Sequence, residues 1–375
     1  MAAQVRLNAL CGHFFIRPFG RGNRAGWQAI SASFLAGEAS MKAVVFKEIG
    51  QPLAVEEVLD LRPGAGEVIL KVHRCGICGS DLHMTEPGGI TAACNSVLGH
   101  EISGEVIELG SGANGLKIGD RVAALPLKGC GQCDACKAGE PSWCAQGLNF
   151  LGGGYAQFAR AGAAECLVLS QELSFSDGAL VEPLAVALHG IRMAGDLRGK
   201  TVTVIGCGPI GLAAVFWSSR LGAAKVQVIE GNSVRADMAR TMGAGSLYLP
   251  SGQRAEGEAG PELADIVVEC VGKPGLLQAS LGDVRNRGTV ISLGFCMAPE
   301  QFVAAAAGSR EVTIKFPVLY TLTDYRDVLA VLDRGDVEPR TMITKTVGLS
   351  SMPTAFEALR KPSTDCKVMF DPWLA

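Results

Sequence analysis

From about residue 41 to 160, apolar positions come in short runs separated by Gly, Pro and Asp. Runs of this kind, bounded by turn formers, read as β-strands. They predict strands over 41–46, 67–72, 102–109 and 120–125, with turns at 110–112 and 117–120. The pattern changes near Glu182. After a helical stretch, 201–205 reads as a buried strand, 210–221 as a helix and 225–229 as the next strand. A helix over 234–242, a strand over 265–269, a helix over 275–284 and a strand over 288–292 follow. Strands alternating with helices predict βαβ units and a parallel sheet. A hydrophobic strand over 311–316 ends that sheet, and an uncovered apolar edge invites pairing with another chain. The tail adds helical 324–333 and 352–359 and a strand over 366–370.

The first forty residues fit neither texture. They hold four Arg and no acidic residue before Glu38. Arg-rich, acid-poor composition resembles a mitochondrial transit peptide. Met41 opens a good first strand, however, so residues 1–40 are read as a leader or an over-called start outside the fold.

A chain of 375 residues has room for two domains, and 48% apolar against 19% charged residues lets it bury a large core. The net charge of −3 carries no basic surplus for nucleic acid or an anionic membrane. No stretch reaches the ~20 clean apolar residues of a membrane span. Thirteen Cys in a chain of this size point to metal binding or chemistry rather than a disulfide framework.

Spacing identifies the chemistry. Cys130, Cys133, Cys136 and Cys144 form a CxxCxxCx7C run, and four soft thiolates in one loop can wrap a single zinc tetrahedrally. Four protein ligands leave no open position, so such a zinc is structural. Gly206-x-Gly208-x2-Gly211 follows an apolar strand and opens a helix, the context in which this motif binds a dinucleotide pyrophosphate. Glu230 ends the next strand, where an acid accepts from the adenosine ribose hydroxyls and repels a 2′-phosphate; this favours NAD over NADP. The cofactor-binding set is Gly206, Gly208, Pro209, Ile210, Gly211, Glu230 and Arg235. A second metal-like set comprises Cys75-Gly-Ile-Cys78-Gly-Ser80-Asp81-Leu-His83 and Gly99-His100-Glu101. A Cys, a His and an acid, with water in the fourth place, describe catalytic zinc. Glu182, in an otherwise apolar run, is costly to bury unless it is paired or metal-bound.

Residues 75–83, 99–101, the run 182–189 (Glu-Pro-Leu-Ala-Val-Ala-Leu-His), the four-Cys loop and the Gly-rich turn at 206–211 together carry a resemblance. The chain resembles the zinc-containing medium-chain alcohol dehydrogenases, and within them the sorbitol and butanediol branch. The resemblance implies an α/β fold. A GroES-like β-rich catalytic domain (41–186 and 322–375) would be interrupted by a doubly wound, parallel-sheet Rossmann domain for NAD (187–321). It implies two zincs per chain. Cys78 and His100 would bind the catalytic one, with Glu182 as third ligand or Glu101 in its place. Ser80 would accept the proton of an alcohol and pass it towards His83, and Asp81 would support the site. It further implies a small alcohol or ketone substrate, a homodimer or homotetramer, and a cytoplasmic setting, or a mitochondrial one should residues 1–40 be a transit peptide. Residues 84–96 lack the aromatic that polyol enzymes often carry after the relay His, whereas residues 152–156 keep the family's Gly-Gly-aromatic-Ala turn. Two alternatives remain: an L-threonine dehydrogenase-like oxidation of an amino alcohol, and a catalytically inactive nucleotide-binding relative.

Overall fold

A computed structural model describes residues 40–88 and 90–374, so the leader reading, apart from Ser40, falls outside the described residues. The chain divides into two compact units. One holds residues up to 168, 346–361 and 369 onwards; the other holds 169–345 and 362–368.

The first unit is antiparallel. Strand β1 (Ser40–Phe46) pairs with β2 (Ala54–Leu59) and with the short β4 (Ser96–Val97). Strand β3 (Glu67–Gly76) leads into a short helix, α1 (Gly79–Met84), and pairs with β5 (Glu101–Leu109) and β7 (Phe158–Gly162). Strand β6 (Arg121–Ala124) pairs with β5 on one side and β8 (Cys166–Val168) on the other. Between β6 and β7 runs a long loop carrying one helical turn, α2 (Asp134–Lys137). Val68, Leu70 and Val72 of β3 alternate along the strand and are fully buried, so one face of β3 packs into the core, while Lys71 and His73 on the other face are half-buried.

The second unit opens with α3 (Phe175–Met193), started by a capping box in which Ser174 and Asp177 exchange side-chain and backbone bonds. Then come β9 (Thr201–Ile205), α4 (Pro209–Arg220), β10 (Lys225–Ile229), α5 (Ser233–Thr241) and β11 (Ser246–Tyr248). They are followed by β12 (Ala264–Glu269), α6 (Leu276–Asp283), β13 (Val284–Ser292), α7 (Ala304–Gly308), β14 (Thr313–Lys315) and α8 (Leu322–Asp333). The six strands form one parallel sheet in the order β11-β10-β9-β12-β13-β14. β13 begins four residues earlier than its hydrophobic run predicts, because Val284 pairs with Ala264 ahead of a register shift. β14 is the expected edge strand, trimmed to three residues.

The tail adds β15 (Ile343–Val347), α9 (Met352–Ala358) and β16 (Lys367–Phe370). Met369 and Phe370 of β16 pair antiparallel with Gly76 and Cys75 at the end of β3.

Candidate active site and metal centres

The Gly-rich turn sits between β9 and α4, as its spacing requires. Each glycine has its own reason. Gly206 has φ +85°, and a Cβ there would lie 2.3 Å from Val271 Cγ2. A Cβ on Gly211 would lie 1.8 Å from the Gly206 carbonyl oxygen, so only glycine lets the helix start this close to the turn. Around Gly208 the space is open, and its backbone can be approached by a ligand. Glu230 follows β10 directly. Its carboxylate accepts from the Cys207 amide at 2.6 Å and the Asn232 amide at 2.8 Å, which pins it beside the turn. Asn232 caps α5. Arg235, in the first turn of that helix, donates from Nη2 to the carbonyls of Ser363 and Asp365.

In the other unit, one ligand atom each from Cys78, His100 and Glu101 lies within 4.8 Å of the others. Cys78 is the N-cap of α1, while His100 and Glu101 enter β5. His100 and Glu101 are buried and Cys78 is half-buried. Gly99 makes that entry possible: it has φ +89°, and a Cβ would lie 2.5 Å from the Tyr155 ring and 2.9 Å from Cys75 Sγ. Glu182, also buried, belongs to α3 in the other unit, where its Oε1 accepts from Tyr320 Oη at 3.0 Å.

Asp81 organises the cluster. It is fully buried in α1 and accepts from four donors. The Cys78 amide lies at 3.2 Å, the Gly99 amide at 3.4 Å and His100 Nδ1 at 3.2 Å; the fourth is Tyr155 Oη, at a short hydrogen bond. Burial pushes the Asp81 carboxyl up, but the His100 charge and these hydrogen bonds outweigh it and hold its pKa below the ordinary value. Burial disfavours a charged His100, yet Asp81 and Cys78 push its pKa well above normal. Burial, then the Asp81 charge, push the Tyr155 phenol well up, so it stays a donor. With Nδ1 turned to Asp81, the His100 Nε2 is left for a metal. A soft sulfur, an imidazole and a buried carboxylate make a donor set that suits zinc, and a cation offsets the negative charge gathered there.

Ser80 and His83 lie on the same helix: Ser80 is half-buried and His83 has 49% of its side chain exposed. Ser80, two residues after Cys78, and a solvent-reaching imidazole thus stand three residues apart on α1, about one helical turn.

The four sulfurs of Cys130, Cys133, Cys136 and Cys144 also lie within 4.8 Å of one another. None of these cysteines is in a disulfide. Backbone amides aim at the sulfurs: Cys130 N–H at Cys144, Cys133 N–H at Cys130 and Ala145 N–H at Cys133, at 3.4–3.5 Å. The Ala145 and Cys136 amides bring the Cys133 thiol down to about 6, whereas burial pushes Cys136 up to about 12. Amides donating to sulfur favour thiolate, the form that binds zinc.

Tyr155 was legible only as part of a turn motif; its bond to Asp81 spans 74 residues. Phe356 of α9 packs edge-on against the same ring, at 6.4 Å between centroids. Neither contact leaves a local sequence signal.

Known proteins resemble this chain over most of its length. Residues 64–171 match the alcohol dehydrogenase GroES-like domain, and residues 209–334 match the zinc-binding dehydrogenase model. The chain is 32% identical over 311 residues to a probable D-xylulose reductase A of Aspergillus clavatus, covering 78% of this chain and 86% of that protein. It is 33% identical over 315 residues to human sorbitol dehydrogenase, covering 80% and 87%. Acetophenone reductase of Geotrichum candidum, solved with NAD, superposes with a TM-score of 0.80 at 26% identity, over 89% of this chain and 98% of that one.

Proposed function

The chain belongs to the zinc-containing alcohol dehydrogenase family and is an oxidoreductase acting on CH–OH groups through a nicotinamide dinucleotide, and we propose that its substrate is a secondary alcohol, diol or polyol. The observation that carries this reading is the Cys78, His100 and Glu101 cluster, with Ser80 two residues after Cys78 in the chain. Of the two acids considered for the third zinc ligand, the grouping of Glu101 with Cys78 and His100 supports Glu101. Glu182 then serves the second unit through Tyr320. The four-Cys loop holds a second, structural zinc.

Bound at the cluster, zinc would supply Lewis acidity that lowers the pKa of an alcohol, while NAD would accept hydride. The chain's own residues do the rest. His100, fixed by Asp81, orients the ligand set. Ser80 accepts the substrate's hydroxyl proton as it gives its own on towards His83, which hands a proton to solvent, where half its side chain already lies. Glu230 takes the adenosine ribose hydroxyls. Arg235 donates from Nη2 to two backbone carbonyls, and the acid at Glu230 favours NAD over NADP. The catalytic domain read from the sequence spans 41–186 and 322–375 and the coenzyme domain 187–321; the compact units divide instead after Val168 and Lys345, with α3 and α8 on the coenzyme side. The edge strand β14, with Phe316 and Val318 exposed beside it, suits a homodimer or a homotetramer. Among the described residues no helix is long and apolar enough to cross a membrane, and the unbridged sulfurs of the four-Cys loop suit a reducing, cytoplasmic setting.

A panel of secondary alcohols, diols, polyols and L-threonine, assayed for reduction of NAD and of NADP with zinc content measured, tests this reading. Turnover of diols or polyols with NAD is expected. Selective oxidation of L-threonine, or no oxidation of any alcohol by protein with two bound zincs, would overturn it.

A further inference from the structure

Helix α1 carries Ser80 and His83, yet it is six residues long, against the ~12–15 that an isolated helix needs. Its orientation is therefore set by groups outside it. Asp81 and Tyr155 hold the first turn. The last turn is held by Arg360, which lies just past α9 and reaches back across some 275 residues of sequence.

Arg360 commits all five of its N–H groups. Nη1 donates to the Leu82 carbonyl at 3.1 Å and Glu86 Oε1 at 2.8 Å. Nη2 donates to Thr85 Oγ1 at 2.6 Å and Glu357 Oε1 at 3.2 Å, and Nε donates to Glu357 Oε2 at 2.8 Å. The guanidinium also lies 5.4 Å from the centroid of the Phe356 ring, and the side chain is 22% exposed. Exposed ion pairs usually contribute little. Here Glu86 and Glu357 are themselves 45% and 38% exposed, but the Arg360 fork is planar and tied at every donor, which makes it a mount. The mount reaches the relay: with one oxygen on Arg360, Glu86 turns the other to 3.6 Å from His83 Nδ1. That is beyond a hydrogen bond but within ion-pair reach, and it narrows the directions the half-exposed imidazole can take.

We propose that Arg360 is a positioning residue for the proton relay: it clamps the end of α1 and, through Glu86, aims His83. This rests on the relay role given to His83 above. The side chains of α9 and the residues just after it thus steady α1 at both ends, Phe356 through Tyr155 and Asp81, and Arg360 through Leu82, Thr85 and Glu86.

The test is a pair of double-mutant cycles on the zinc-loaded full chain, Arg360→Met with His83→Gln and Glu86→Gln with His83→Gln. In the His83 background, each single change should lower kcat about tenfold, part of the roughly 10²–10⁴-fold a positioned proton-transfer group supplies. Zinc content and KM for NAD should stay as in the wild type. In the His83→Gln background neither change should cost more than about twofold, because the group they aim is gone. Additive losses in both backgrounds would reduce Arg360 to a structural tie and overturn the proposal. A silent His83→Gln would overturn the relay reading itself, and this proposal with it. Should Arg360→Met fail to fold, the Glu86→Gln cycle decides, since it leaves the Arg360 bonds to Leu82 and Thr85 in place.

Discussion

The two metal-like sites of the first unit are built in opposite ways. The four-Cys loop draws its ligands from fifteen consecutive residues, 130–144, and steadies them with backbone amides at a half-exposed surface. The Cys78, His100 and Glu101 cluster takes ligands from two elements and fixes them with a buried carboxylate, which is itself fixed by a tyrosine far along the chain. A closed set of sulfurs needs only local chain geometry. A site that must hold an imidazole in one direction, and leave room for substrate, needs a scaffold of side chains around it. The contrast predicts that damage stays local in the loop and spreads in the cluster.

Four substitutions sharpen or break that contrast. His100→Ala should have the largest effect. It should remove about one zinc per chain and lower kcat/KM by roughly a thousandfold or more, because several kcal/mol of charge stabilisation leave with the metal. The four-Cys zinc should remain, and metal analysis of the purified variant checks this; loss of both zincs would mean that the sites are not independent. Asp81→Asn keeps the shape and removes the charge that orients His100. Zinc should bind the cluster about 10–100-fold more weakly, as read by competition with a chelator, and unchanged affinity would deny Asp81 its organising role. Cys133→Ser should act on the other site: about one zinc lost, a lower Tm, and kcat of the folded enzyme within about twofold of the wild type. A collapse of kcat with normal zinc content would contradict a structural loop. Tyr155→Phe should be mildest. It removes one of four donors to Asp81 and should cost about 1 kcal/mol of stability by chemical denaturation, with zinc retained.

How much of this could be read from the residues follows the same division. The four-Cys loop and the glycine turn are legible because their chemistry lies in short-range spacing, and Glu230 because it ends the strand after that turn. The choice between Glu101 and Glu182 stayed open. Both acids are buried, and only packing brings Glu101 together with Cys78 and His100. Tyr155 and Arg360 act across 74 and 275 residues, where no periodicity or spacing carries a signal. Strand ends slipped where pairing rather than hydrophobicity set them, as at Val284, which is held by Ala264.

Gly99 imposes a constraint of a different kind, on how this protein can change over time. Its backbone dihedral disfavours any side chain, and relieving the clash with the Tyr155 ring would still leave Cys75 Sγ 2.9 Å from the new atom. No single compensating replacement therefore opens the position, and shrinking the ring costs Asp81 a donor as well. Variants at this entry to β5 face a valley that at least two simultaneous changes must cross. Residues such as 90–93, beyond Thr85 and Glu86 and outside the tie between the ligands and their scaffold, are freer to drift one step at a time. In a lineage of such enzymes, altered substrate preference is expected to accumulate there first, with the metal geometry carried forward unchanged.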